Sequence, residues 1–428
     1  MNILLLGSGG REDALAWRLR QSPSCDELLA APGNPGIARL GRCVGIKDDE
    51  IEALRDLALR ERVDLTVVGP ELPLSLGLAD RLRERGLAVF GPSQAAARIE
   101  SSKAFAKDLM VRYGIPTARY RAFTEIAPAR AWCRELGAPL VVKADGLAAG
   151  KGVIICKTLG EADAALALCL ESAAFGAAGA SVVVEEFMAG EEASFFAITD
   201  GTAILPLAGA QDHKTVFDGD RGPNTGGMGA FSPVSAVDEG LRARIMREIV
   251  EPTLAALAAD GAPYHGVLYV GLMLTAEGPR VVEFNCRFGD PECQPIMMCM
   301  TDDIVPLLSA VARGDRLPSP RPWTTGGPAA VCVTLASGGY PGPYVTGQEI
   351  AGIDAAEARD GVQVFHAGTA RRDGRLVTAG GRVLGVTAVA DELSSAIAAA
   401  YEAVRCIHFE GVHYRTDIGR RALEVRAT

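Results

Sequence analysis

The chain has 428 residues, 48% of them hydrophobic, and a formal net charge of −10. That length exceeds what one hydrophobic core serves, so two or more domains are expected. The charge argues against nucleic acid or an acidic membrane as partner, and no apolar run is long enough to span a bilayer.

The start, Met1-Asn-Ile-Leu-Leu-Leu-Gly7, reaches glycine after four apolar residues without a preceding basic segment, so it reads as a first strand and not as a signal peptide. A cytoplasmic location is therefore expected. Strand and helix patterns then alternate over residues 2–6, 12–20, 65–68, 74–85 and 88–90, which predicts a doubly wound α/β domain. Within it, Gly7-Ser-Gly-Gly-Arg-Glu12 suggests a dinucleotide loop, but Glu12 stands where the third glycine of that motif belongs. The loop still opens a helix, so its N–H groups suit a phosphate.

Further on, Pro139-Leu-Val-Val-Lys-Ala-Asp-Gly-Leu-Ala-Ala-Gly-Lys-Gly-Val-Ile-Ile-Cys156 places a glycine-rich turn between two β-branched runs. Gly146 and Gly150 are separated by three residues and a strand follows Gly152, so this is a hairpin over phosphates and not a P-loop. Lys143 and Lys151 add positive charge, and a lysine inside Leu-Val-Val-Lys-Ala is most naturally explained by nearby anions. Residues 182–192 read as a strand ending in an acidic turn. Asp212, His213 and Lys214, with Asn224-Thr-Gly-Gly-Met-Gly229, form a second polar loop system in which His213 suits either a base or an orienting partner. Residues 217–222 read as a flexible loop.

The run Val281-Val-Glu-Phe-Asn-Cys-Arg-Phe-Gly-Asp-Pro-Glu292 carries the most chemistry. Alternation along a strand puts Glu283, Asn285 and Arg287 on one face and Phe284, Cys286 and Phe288 on the other. A carboxylate and an amide oxygen two residues apart suit Mg2+ carried with nucleotide phosphates, and the arginine can neutralise a phosphoryl group in transfer. The ten cysteines show no zinc-like spacing and are read as reduced thiols. Beyond, strand patterns over 329–335, 362–366 and 382–388 and a helix over 392–405 predict a separate small α/β domain.

In this order and at these separations, Gly9-Gly-Arg-Glu12, Ala31-Pro-Gly-Asn34, Val68-Gly-Pro-Glu71, Ser102-Lys-Ala-Phe105, the hairpin from Lys143 to Gly152, Gln211-Asp-His-Lys214, Gly222 to Gly229, Glu283 to Glu292 and His366-Ala-Gly-Thr369 resemble the ATP-grasp superfamily. Within it they resemble the glycinamide ribonucleotide synthetase family, nearly end to end. The resemblance implies an N-terminal doubly wound domain (1–102) that binds phosphoribosylamine, an ATP-grasp body (103–327) with a mobile lid over about 118–190, and a C-terminal domain (328–428). It implies an ATP-dependent ligation of glycine to 5-phosphoribosylamine through glycyl phosphate, with Mg2+ or Mn2+ on Glu283 and Asn285 and a monomeric chain.

By the same resemblance ATP would meet Lys103, Lys143, Gly146, Gly150, Lys151 and Gly152 at its phosphates and the hinge Glu185, Glu186, Phe187 and Met188 at adenine, with Glu192 at the ribose. Gly9, Gly10, Arg11 and Arg382 would hold the 5-phosphate and Glu71 the other ribose, while Asp290, Pro291 and Glu292 would lie near the glycine amine. Arg287, Lys143, Asp212, Lys214 and Asp290 would serve the chemistry. Three positions depart from the family pattern: Asp13 for a His, Arg221 for a Thr and Cys293 for a Thr. Asp13 is unfavourable beside an anion unless its carboxylate points away or caps the helix.

Overall fold

In a computed structural model of the chain, residues 1–147, 152–172, 176–234, 236–317 and 327–425 are described. The first strand β1 (Asn2–Gly7) is the centre of a parallel sheet ordered β3-β2-β1-β4-β5, with β2 at Glu27–Pro32, β3 at Arg42–Cys43, β4 at Leu65–Val68 and β5 at Val89–Phe90. Both faces of β1 are covered: Leu4 and Leu6 enter one core, Ile3 and Leu5 another. That is why the strand reads as an unbroken apolar run. The helix α1 (Gly10–Arg20) begins two residues earlier than its periodicity suggests, because the Glu12 carboxylate reaches back to accept the Gly9 N–H at 2.6 Å and so caps its start. The helix expected over 74–85 is instead two, Glu71–Ser75 and Leu78–Arg83, parted by Gly77 at φ +85°.

The predicted lid is a four-stranded antiparallel sheet ordered β6-β9-β7-β8, with β6 at Tyr120–Phe123, β7 at Leu140–Ala144, β8 at Val153–Cys156 and β9 at Val182–Glu186. Two helices back it, and Trp132, Leu140, Val142, Leu166 and Val184 give it a core of its own. The β7–β8 hairpin has the predicted form, with Lys143 opposite Val153. The body sheet runs β11-β10-β16-β17, with β10 at Glu191–Thr199, β11 at Ile204–Pro206, β16 at Gly266–Thr275 and β17 at Gly278–Asn285.

Two readings need correction here. The C-terminal sheet is ordered β12-β15-β18-β22-β19, and its first two members, β12 (Gln211–Asp212) and β15 (Gly229–Ser232), come from the body. They join β18 (Ala329–Ala336), β22 (Arg382–Ala390) and β19 (Val362–His366), so the C-terminal unit shares one sheet with residues 211–232. Nor is 217–222 a loose loop. Thr215–Phe217 and Arg221–Asn224 pair as a hairpin, and the N–H groups of Gly219 and Thr416 donate across to Asp417 Oδ2 at 2.9 Å and Asp218 Oδ1 at 2.8 Å. The glycines and aspartates marked the turn, but the residues that fasten it lie almost two hundred positions away.

Asp13 points away from the cleft described below. Its buried carboxylate accepts the His366 N–H at 2.6 Å. Burial pushes that carboxyl up to about 7, against the opposing pull of the His366 N–H and Arg39. An unfolded Asp ionises near 4, so between about 4 and 7 the unfolded chain loses this proton first and stability falls as pH rises. Asp13→Asn is expected to stabilise the fold at pH 8 by on the order of 1 to 3 kcal/mol and to add nothing at pH 4. Melting curves at the two pH values check this, and an equal shift at both would contradict it.

Candidate active site

A cavity of about 930 Å³ lies where the N-terminal sheet, the lid, the body sheet and the C-terminal sheet meet. At the end next to the lid sheet, β7 and β9 hold two charges that burial would forbid singly. Lys143 Nζ lies 3.0 Å from Glu185 Oε1 and donates to the Val282 carbonyl at 3.0 Å. Lys107 Nζ lies 3.0 Å from Glu185 Oε2, and burial pulls this lysine down to about 8 despite Glu185. Glu185, expected to face an exocyclic amine, therefore has its carboxylate already engaged by two lysines. Lys103, the first residue of the helix Lys103–Arg112, donates to the Gly146 carbonyl at 3.1 Å, and burial lowers its pKa. Along the hinge, Glu186 pairs with Arg280 at 3.0 Å, Phe187 is exposed and Met188 is buried.

The middle of the cavity carries the oxygen donors. Glu283 and Asn285 both reach its wall from β17. Desolvation works against the Glu283 charge, yet Lys214, Lys143, Lys103 and Arg287 outweigh it and hold this carboxyl below its usual range. On the facing wall Lys214 Nζ lies 3.0 Å from Glu192 Oε2. Burial, with repulsion from Glu292, Glu192 and Glu283, lifts the Asp212 carboxyl to about 7 even though Lys214 opposes it. His213 is pushed down to about 4, by burial first and then by Arg415, and its Nδ1 is buried without a hydrogen-bond partner among the described residues. Among the described residues no group of three or more His, Cys, Asp or Glu side chains is arranged to hold a metal ion. Two oxygen ligands are nevertheless what a Mg2+ that arrives on nucleotide phosphates needs, since it fills its remaining positions with phosphate and water.

At the far end the charges interlock. Arg287 Nε lies 3.1 Å from Glu71 Oε2, and its Nη2 lies 2.9 Å from Glu100 Oε1. Glu71 is the first residue of its helix, and although desolvation raises its pKa, Arg287 and Arg11 bring it to about 2. Arg11 is held by Glu12 at 2.5 Å and by the Phe288 carbonyl at 3.1 Å. The Gly9 N–H, expected to face a phosphate, is taken by Glu12 Oε2 at 2.6 Å. Arg382, the first residue of β22, lies 3.2 Å from Asp290 Oδ2, and Gln294 donates to Asp290 Oδ1 at 2.9 Å. Glu292 is buried and accepts the Ser194 hydroxyl at 3.3 Å.

The structure thus gathers at one cavity Arg11, Glu71, Lys103, Lys143, Gly152, Glu185 to Met188, Glu192, Asp212, Lys214, Glu283, Asn285, Arg287, Asp290, Glu292 and Arg382. Gly9, Gly10, Gly146 and Pro291 are not among the residues that line it: a Cβ on Gly146 would meet Ala178, and Pro291 packs on Gly227. Gly150 and Lys151 lie outside the described residues. Sequence reasoning missed Lys107 and Glu100, because a lone charge on a helix ordinarily faces water. It also missed Gln294, whose Oε1 is buried without a partner among the described residues.

A parallel N-terminal sheet, two four-stranded antiparallel sheets, and a cavity that gathers lysines with a Glu–Asn strand define an ATP-grasp enzyme. Family models place the particular branch: residues 1–100 match the phosphoribosylglycinamide synthetase N domain, 101–293 its ATP-grasp (A) domain and 330–421 its C domain. The chain belongs to the phosphoribosylglycinamide synthetase family and has phosphoribosylamine–glycine ligase activity, an ATP-dependent ligation in purine biosynthesis. It is 52% identical over 423 residues to the phosphoribosylamine–glycine ligase of Rhizobium meliloti, covering 99% of each chain. Among solved structures, it is similar to the phosphoribosylamine–glycine ligase of Thermotoga maritima, at 34% identity and a TM-score of 0.85 over 98% of this chain and 100% of that one. The biotin carboxylase domain of a Hydrogenobacter thermophilus 2-oxoglutarate carboxylase, seen with MgADP, shares the fold at 17% identity and a TM-score of 0.75 over 96% of this chain and 91% of that one. Among the described residues no single helix is long and apolar enough to cross a membrane.

Proposed function

We propose that the cavity works as three adjoining subsites, with ATP at the lysine end, glycine in the middle and phosphoribosylamine at the arginine end. The observation that carries this reading is Glu283, a carboxylate kept ionised by three lysines and an arginine in the centre of the cavity. In the first step a glycine carboxylate oxygen attacks the γ-phosphorus of ATP, the bond to the bridging oxygen breaks, and ADP leaves with that electron pair. Lys143, Lys103 and Lys214 face the phosphates and offset their charge, with Glu185 and Glu192 fixing two of the ammonium groups in place. Glu283 and Asn285 would hold Mg2+, which when bound supplies Lewis-acid stabilisation of phosphate charge.

In the second step the amine nitrogen of phosphoribosylamine attacks the acyl carbon of glycyl phosphate. The bond from the acyl carbon to the phosphate oxygen breaks, phosphate leaves with the former carboxylate oxygen, and the nitrogen passes a proton to the departing phosphate to give the amide. Asp290 and Glu292 suit the glycine ammonium, Arg11 and Arg382 the 5-phosphate, Glu71 the ribose hydroxyls, and Arg287 the charge on the acyl phosphate. Closure of the lid sheet would keep water from glycyl phosphate.

Glycine labelled with 18O in its carboxylate tests the sequence of steps. Each turnover is expected to deliver one labelled oxygen to inorganic phosphate, read by mass spectrometry; unlabelled phosphate would rule out the acyl phosphate.

A further inference from the structure

Two motifs have no part in the chemistry above, Ala31-Pro-Gly-Asn34 and His366-Ala-Gly-Thr369. In the structure they meet. The buried Asn34 side chain donates from Nδ2 to the His366 carbonyl at 2.8 Å and to the Ser8 carbonyl at 2.9 Å, while its Oδ1 accepts the N–H groups of Gly36 at 2.8 Å and Ile37 at 3.0 Å. On the other side Asp13 accepts the His366 N–H at 2.6 Å. The residue His366 is therefore gripped through both its N–H and its carbonyl by the N-terminal domain. Its ring faces inward too, with Nδ1 3.1 Å from Thr369 Oγ1.

What this grip aligns is specific. Asn34 holds the Ser8 carbonyl in the loop that leads to Gly9, Gly10 and Arg11. His366 ends β19, and the next residues, Ala367 and Gly368, donate to the carbonyls of Val383 at 2.9 Å and Arg382 at 2.9 Å. The same contact thus fixes the start of α1, from one domain, against the backbone of Arg382, from the other. A Cβ on Gly36 would fall 2.0 Å from Asp13 Oδ2, so the loop after Asn34 is also shaped to let the Asp13 carboxylate pass.

We propose that Asn34 and Asp13 are positioning residues that clasp the His366 peptide and thereby assemble the phosphoribosylamine phosphate subsite from two domains. The inference rests on the reading that Arg11 and Arg382 hold that phosphate. Neither clasp residue touches substrate. Asp13, the departure from the family pattern noted above, has its work here, and its charge stays behind the subsite wall. The other groups that face the Asp13 carboxylate are Arg39, Glu357 and Cys43, none of which reaches the cavity.

The test separates the three Michaelis constants. Asn34→Asp keeps the acceptor for Gly36 and Ile37 but sets an oxygen against the carbonyls of Ser8 and His366. It is expected to raise the KM for phosphoribosylamine about tenfold or more while the KM values for ATP and glycine stay within twofold. Asp13→Ala is expected to move the same constant in the same direction, and Asp13→Asn, which restores an acceptor for the His366 N–H, to bring it back toward wild type. Should Asn34→Asp not fold, the Asp13 pair decides alone. An unchanged phosphoribosylamine KM in the folded variants, or an equal rise in all three constants, overturns the clasp. Arg382→Ala is run beside them: if it leaves the phosphoribosylamine KM unmoved, the subsite reading itself fails, whereas a rise in Arg382→Ala with none in Asn34→Asp removes the clasp alone.

Discussion

Glu283→Ala is expected to reduce ligation by about three orders of magnitude or more while the protein melts within a few degrees of wild type. If Glu283 holds Mg2+ as proposed, its loss removes several kcal/mol of charge stabilisation from the phosphoryl transfer, and about 1.4 kcal/mol corresponds to a factor of ten in rate. The fold should survive because Glu283 is a net repellent neighbour to Asp212 as well as an attractive one to the lysines. Removing it relieves the first interaction as it loses the second. A second readout follows from that coupling: the Asp212 carboxyl, now lifted to about 7, should titrate lower in the variant because one of its repelling charges is gone. Steady-state ADP release and a thermal melt in Mg-ATP against ATP alone check the prediction. A variant that keeps wild-type turnover, or that still gains the full wild-type stabilisation from Mg2+, would remove Glu283 from the metal site.

The division between what the sequence displayed and what it hid follows the range of the interactions. The Glu283 and Asn285 face was readable because strand alternation is local, and Phe284 duly enters the core; the strand ends at Asn285, so Arg287 reaches the same cavity from the turn beyond it and not by alternation. The Lys143 hairpin was readable for the same reason, since its two β-branched arms and its glycines are contiguous. Arg287 itself was assigned one role, yet it also ties together Glu71 and Glu100, residues more than 180 positions upstream, and nothing in the local pattern of the helix Gln94–Ser101 marks Glu100 as buried. Lys107 escaped in the same way, one turn beyond Lys103 on a helix whose later charges, Asp108 and Arg112, face water. Gly9 shows the opposite failure. A glycine-rich loop before a helix suggested free N–H groups, but Glu12, three residues on, takes the one at Gly9. The sharing of one sheet between residues 211–232 and the C-terminal strands was hidden because β12 and β15 are short and β15, the strand that joins them to the C-terminal sheet, finds β18 about a hundred residues later.

Arg287→Met should be the most damaging single change at the substrate end, because it leaves Glu71 and Glu100 facing each other without their shared counterion. Breaking one side of a buried ionic group typically costs about 3 to 5 kcal/mol, and the activity should fall by about a thousandfold or more as charge on the acyl phosphate goes unopposed. The pH dependence identifies the cause. In the wild type Glu71 is held at about 2, so its stabilising contribution is complete above the ordinary glutamate range and is lost only as pH falls through about 2. In the variant both carboxyls are pushed upward, Glu100 from a value that burial already raises. The unfolded chain then releases these protons near 4 while the folded one retains them, so the variant loses stability as pH rises. The deficit relative to wild type should therefore already be present at pH 4, where wild-type Glu71 is still ionised and paired, and should grow toward pH 8. Arg287→Lys keeps the charge but not the fork that reaches two carboxylates at once; it should fold with most of its stability and still lose about a hundredfold in rate. Urea melts at the two pH values and turnover of both variants decide the matter, and a stability deficit independent of pH would mean that lost packing, and not the unpaired carboxylates, accounts for the effect.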